Sequence, residues 1–325
     1  MIELKDNRLN FSFPEIHPHA RCSIGFKRTF RLPDDNNGYP LPPDLGQFPL
    51  MHVDDIGENM PAEMEKRGGV LFPMNQAEAM WIHFETNYPF AIKIAAGNIN
   101  AITGNAWNNQ LHDDPQDYLV LPKQPWLDGF CVGNGKIRQF IAIPLGKGYT
   151  AEEQLTGRAE VEGIQIIAFP LKLEAYTQLN EPQSRFGVAS CVNHYLETRV
   201  VGLGAGGLMW QDIYEDIHDL SAWAHTTKSR CFVHLVNSET YQNLTGKEPL
   251  PSLITAKRYA DYGLPWFKYY DENSKTLSGQ IELAGLDSVA ALCIKKNGIP
   301  LSGNASVQPI NVQRIHGYSV REEEF

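Results

Sequence analysis

Phe130-Cys131-Val132-Gly133-Asn134-Gly135-Lys136-Ile137-Arg138-Gln139-Phe140-Ile141-Ala142-Ile143 reads as two apolar strands joined by a tight turn. Asn-Gly tolerates φ > 0 at both central positions of a type I′ turn, whose twist suits paired strands. The pairing it favours is antiparallel, without a βαβ crossover. Short apolar runs bounded by Gly, Pro, Asn or Asp recur over 22–32, 79–85, 90–96, 118–121, 164–169, 231–236, 289–295 and 307–315. A second pair, Asn297-Gly298, predicts another hairpin, between 289–296 and 299–301.

Helix signals are fewer and come late. Over 208–220, Trp210, Ile213, Tyr214, Ile217 and Leu220 share one helical face, opposite Asp212, Glu215, Asp216 and Asp219. A second helix is predicted from an N-cap at Ser238 to Gly246, and a third from Thr255 to Gly263, with Pro265 beyond it. The expected fold is therefore mainly β to α+β. It has antiparallel sandwich or barrel-like sheets, with two or three helices in the C-terminal third. The polar run 173–190 reads as a linker or long loop between a β-rich region, 1–172, and an α+β region, 191–325. A single domain with a long surface loop fits the same pattern.

The 325 residues are 42% hydrophobic and 20% charged, which excludes a disordered chain. No apolar run approaches the ~20 residues of a spanning helix, so no membrane association is expected. The net charge of -10, without a Lys/Arg run, argues against nucleic acid. Residues 1–6 lack the apolar stretch of a signal peptide, and the five cysteines are scattered and odd in number. The expectation is a cytoplasmic protein with reduced thiols.

Several motifs invite a chemical reading. Gly202-Leu203-Gly204-Ala205-Gly206-Gly207 has the form of a dinucleotide fingerprint entering the expected helix, although no strand ending in an acid follows it. The bland alternative is a flexible glycine loop. Cys191/His194 and Cys231/His234 have zinc-like types, but Cys231 and His234, at i and i+3 of an expected strand, face opposite ways. His17 and His19 share a face of an extended segment and are the other metal candidates, against a plain solvated loop. No G-x-S-x-G occurs, and no motif implies a cofactor.

The segment 97–129 is richer. Asn98, Asn100, Asn105, Asn108, Asn109, Gln110, His112, Asp113, Asp114, Asp117 and Asp128 surround Trp107 and Trp126. Indoles give an apolar platform and amides give paired donors and acceptors, the groups a polar, sugar-like ligand needs. The expected ligand contacts are Trp107, Asn108, Asn109, Trp126 and Asp128. His112, Asp113, Asp114 and Asp117 are the acid–base candidates for hydrolysis. The same residues also suit a long loop whose Asn and Asp satisfy turns. A second aromatic concentration, Tyr259, Tyr262, Trp266, Phe267, Tyr269 and Tyr270, reads as core or as an interface, including one between copies of the chain.

Five pieces are similar to a group of uncharacterised bacterial and fungal hypothetical proteins. They are Pro115-Gln116-Asp117-Tyr118-Leu119-Val120, Gln124-Pro125-Trp126-Leu127-Asp128-Gly129, Ile137-Arg138-Gln139-Phe140 with Gly148-Tyr149-Thr150, Val233-His234-Leu235-Val236-Asn237-Ser238-Glu239, and Gly263-Leu264-Pro265-Trp266-Phe267. The resemblance spans roughly 25–271 and implies one discrete module, with no activity, cofactor or catalytic residue attached. The functional expectation is a soluble, non-catalytic binding or assembly protein that recognises a polar small molecule or a protein partner. The alternative is a hydrolase for a polar, glycan-like substrate.

Overall fold

The computed structural model describes residues 1–158, 161, 163–179, 201–270, 275–279 and 281–316. The strands are β1 (Ile2–Lys5), β2 (Arg8–Ser12), β3 (Arg21–Thr29), β4 (Met51–His52), β5 (Val70–Pro73), β6 (Ala79–Thr86), β7 (Phe90–Ala96), β8 (Ile99–Asn100), β9 (Leu119–Leu121), β10 (Trp126–Leu127), β11 (Gly129–Gly133), β12 (Lys136–Pro144), β13 (Ile164–Pro170), β14 (Val201–Trp210), β15 (Ser229–Val236), β16 (Trp266–Tyr270) and β17 (Val312–His316). The helices are α1 (Ala62–Arg67), α2 (Ala151–Thr156), α3 (Leu173–Gln178), α4 (Ser238–Thr245), α5 (Ala256–Asp261), α6 (Ile281–Ala284) and α7 (Val289–Asn297). None is long and apolar enough to cross a membrane.

The first sheet runs β1-β2-β3-β6-β12-β11, with β10 on β6 and β14 on β12. The second runs β4-β5-β15-β13-β7-β8, with β9 on β7. Pairing is antiparallel except between β5 and β15, and in the separate β16-β17 ribbon. Neither large sheet closes into a barrel. Period-2 alternation builds the core. Cys22, Ile24 and Phe26 of β3 and Met80, Ile82 and Phe84 of β6 share one cluster with Phe90, Ile92 and Ile94 of β7 and Ile164, Ile166 and Ala168 of β13. Phe26 and Phe72 meet across the two sheets with ring centroids 5.1 Å apart. Both sheets draw strands from either side of 173–190, since β14 pairs with β12 and β15 with β13.

The expected β-rich antiparallel architecture is present. The Gly133-Asn134-Gly135 turn joins β11 to β12, with Asn134 at φ 54° and Gly135 at φ 65°. Helix α4 lies where expected, although Asn237 rather than Ser238 caps it. Helix α5 is capped by Thr255.

Three local expectations are overturned. Gly202-Leu203-Gly204-Ala205-Gly206-Gly207 is not a loop entering a helix: it lies inside β14, which pairs along its length with β12. The glycines there serve close approach. A Cβ on Gly207 would lie 2.4 Å from the Pro33 carbonyl oxygen. No α-helix forms over 208–220. The backbone N–H groups of Gln211, Tyr214, Glu215 and Asp216 go instead to Gly135 O, Gln124 Oε1, Lys275 O and Gln116 Oε1. Distant partners thus replace the local i→i−4 ladder, and Ile217 of the supposed apolar face is 76% exposed. Finally, 289–295 is helix α7 rather than a strand. Ser288 caps its start and Gly298, at φ 65°, caps its end, so Asn297-Gly298 is a helix stop and not a hairpin. The 307–315 run shortens to β17.

Candidate functional site

The excursion 97–117 folds over β7, and its Asn100, Asn108 and Asp117 side chains are hydrogen-bonded there, while Asn105, Asn109, Gln110, Asp113 and Asp114 are exposed. Lys93 of β7 is fully buried. Its ammonium donates to Asn108 Oδ1 at 2.9 Å, to Asp117 Oδ2 at 2.5 Å and to the Gln110 carbonyl. Burial lowers the Lys93 pKa, and Asp117 opposes that shift. Asn100 Oδ1 accepts from the N–H groups of Ile102 and Thr103, while its amide donates to Asp117 O. Trp107 is half-buried against the core, with Lys93 Nζ 5.5 Å from its ring. Lys228 holds the exposed Asn109 through its carbonyl at 2.6 Å.

Of the acid–base candidates, His112 and Asp117 do meet, with Nδ1 2.9 Å from Oδ2. That carboxylate is already committed to Lys93 and to the His112 N–H. Asp113 and Asp114 are exposed. His17 Nδ1 accepts from the His19 N–H, and the His17 ring stacks on Tyr88 and meets Tyr176. Among the described residues no three His, Cys, Asp or Glu side chains converge as metal ligands. Cys231 and His234 lie on β15, whereas Cys191 and His194 fall outside the described residues. Cys22, Cys131, Cys231 and Cys293 are free thiols.

Trp126 has a different setting. It ends up beside the C-terminal aromatic segment, with its ring 5.0 Å from that of Tyr269 in an edge-on arrangement. Residues 39–41 cause this meeting. Tyr39 exchanges backbone hydrogen bonds with Leu208 and Trp210 of β14, and Leu41 exchanges two with Phe267 of β16. The end of β14, the start of β16 and β10 therefore lie side by side. Between them opens a groove of about 320 Å³, lined by Trp126, Trp210, Tyr214, Phe267 and Tyr269. Gln124, Asn134, Gln211, Asp212 and Lys268 supply its polar rim and floor.

The floor is pre-organised. Gln124 Nε2 donates to Trp126 O and Asp212 O, and its Oε1 accepts from the Tyr214 N–H. Gln211 Nε2 donates to Asp128 Oδ2 at 2.9 Å, and its Oε1 accepts from the Asp128 N–H. Asp128 is 4% exposed, so it sits behind the groove rather than in it. Burial pushes its carboxyl up to about 7, against hydrogen bonds from the Gln211 and Trp126 side chains. It thereby orients one amide and one indole that do face the groove. Asp212 is more open, and burial on its protein side raises its carboxyl. Lysine ammoniums sit over two of the rings, Lys136 over Trp210 at 4.6 Å and Lys123 over Tyr214 at 5.4 Å.

The structure thus separates residues expected to act together. Trp126 lines the groove and Asp128 backs it, whereas Trp107 and Asn108 belong to the Lys93 network and Asn109 is held by Lys228. Sequence reasoning missed Trp210, Gln211, Asp212 and Tyr214, because their spacing imitates a helical stripe. Comparison with known protein families, curated proteins and solved structures returned no match.

Proposed function

We propose that the protein is a non-catalytic binding protein whose aromatic groove takes a polar small molecule or a short polar segment of a partner. The convergence of five aromatic rings over two fixed glutamines carries this reading. The groove volume falls within the roughly 300–1,000 Å³ usual for small-molecule sites. Trp210 is 46% exposed, a large indole left open to solvent beside a polar rim. Rings of this kind offer flat apolar platforms, and the amides beneath them fix orientation. A glycoside hydrolase of the usual kind needs two carboxylates facing one cavity. Among the described residues Asp212 is the one carboxylate in the lining, Asp128 lies behind Gln211, and the His112–Asp117 contact lies outside the groove.

Intrinsic fluorescence can test this against a panel of neutral oligosaccharides, amino acids and alkylammonium salts. At least one class is expected to give saturable quenching. Trp210→Ala should weaken that binding about tenfold, equivalent to 1.4 kcal/mol, and Trp107→Ala should leave it unchanged. Quenching that ignores Trp210→Ala, or none across the panel, contradicts the reading.

A further inference from the structure

A second cavity, of about 170 Å³, opens where β3 runs out, between residues 75–78 and 252–255. Arg31 lines it. Its Nη2 donates to the Ser302 carbonyl, while Nε and Nη1 are buried without a hydrogen-bond partner among the described residues. Thr29 lines the same cavity, is fully buried, and has an equally unpartnered hydroxyl. Neighbouring carboxylates are already committed. Glu78 pairs with Arg28 at 2.5 Å, and Asp34 pairs with Arg138 at 3.2 Å and with the Ser288 hydroxyl. Arg28, Arg31 and Arg138 against Glu78 and Asp34, the latter also acting on Arg31, leave one formal positive charge around this cavity. Burial pulls the Arg31 guanidinium down to about 10, the direction expected of a cation with too little compensation. A buried charge is tolerated when it is paired, and unsatisfied buried polar groups in native proteins call for a partner.

We propose that this cavity binds a small oxyanion, with Arg31 and Thr29 Oγ1 as its principal donors. A planar guanidinium matches carboxylate or phosphate oxygens with two parallel N–H bonds. Ser252 and Ser302 also line the cavity. The volume is below that of usual organic-ligand sites, so one acidic group fits and a large ligand body does not. The cavity shares no lining residue with the aromatic groove and does not depend on it.

Thermal unfolding of the full chain in phosphate, acetate or chloride at constant ionic strength tests the proposal. Phosphate or acetate should raise the midpoint by roughly 3 °C or more near saturation, through linkage to the folded state. The oxyanion that gives the larger rise identifies the group. Phosphate also stabilises proteins non-specifically by exclusion from their surface, so two variants provide the comparison. Arg31→Gln should abolish the oxyanion-specific rise. Thr29→Val is isosteric, removes an unsatisfied hydroxyl and is expected to fold normally. It should shift the half-saturating concentration at least threefold upward. Equal oxyanion responses in the wild type and Thr29→Val, or no response beyond chloride in the wild type, overturn the proposal. Both outcomes can be read whether or not Arg31→Gln folds.

Discussion

Lys93 closes a network that leaves its ammonium fully satisfied: a carboxylate, an amide oxygen and a carbonyl, all from the segment that covers it. Removing one member of a buried pair strands the other. Lys93→Met is therefore expected to destabilise the protein by about 3–5 kcal/mol. The exposed His112 adds a weaker contact to the same carboxylate, and His112→Ala should cost less than about 1 kcal/mol. Urea denaturation separates the two, and equal effects would contradict this account. Asp128 and His83 give opposing pH dependences. Asp128, raised from 3.8 to about 7 by burial, keeps a proton that the unfolded chain releases. Its contribution falls as pH rises from about 4 to 7, by up to about 1.4 kcal/mol per unit. His83 is lowered from 6.5 to about 4 by burial and by the Arg8 charge, and Arg8 Nη2 lies 2.6 Å from its Nδ1. Its contribution is lost as pH falls from 6.5 toward 4. The two trends offset each other in the wild type. Asp128→Asn should remove the first, so stability measured at about pH 4, 5.5 and 7 rises with pH more steeply than in the wild type. Parallel profiles would show that Asp128 does not titrate in this range.

Elements were legible where a single local rule governed them. β7 coincides with the apolar run 90–96, and the Asn134-Gly135 turn sits where its φ requirement puts it. Reading failed where two rules share one signature. Gly298 with φ > 0 suits a hairpin and a helix C-cap alike, and the Ser288 cap decides for the helix. The 208–220 segment failed for another reason. Its i, i+3, i+4 spacing is real, but Gln116 and Gln124 lie about a hundred residues upstream and capture its N–H groups, which no local window reveals. The glycines of β14 carry the same lesson, since their partners are Pro33, Val289 and Tyr149. Gly207→Ala should destabilise the protein by about 1–3 kcal/mol through overpacking against the Pro33 carbonyl. A midpoint equal to the wild type in thermal unfolding would contradict the close-approach reading.

At the scale of the whole molecule, the groove is a product of topology. Trp126, Trp210 and Tyr269 come from separate parts of the chain and meet because residues 39–41 tie β14 to β16. The sequence flagged 97–129 and 259–270 as aromatic and polar, and both contribute. Their convergence was not legible, because it depends on a strand from the opposite half of the chain. The amide-rich part of 97–129 was legible as chemistry but not as purpose: Lys93 lies outside it in sequence and takes up Asn108 and Asp117 from it.

The six tryptophans offer a direct readout. Assigned indole N–H resonances, followed during titration with the ligand class that quenches fluorescence, report which ring it touches. Saturable shifts are expected at Trp126 and Trp210, with Trp107 and Trp81 unmoved. Shifts at Trp107 while Trp126 and Trp210 stay fixed would place recognition on the 97–117 segment and contradict the groove.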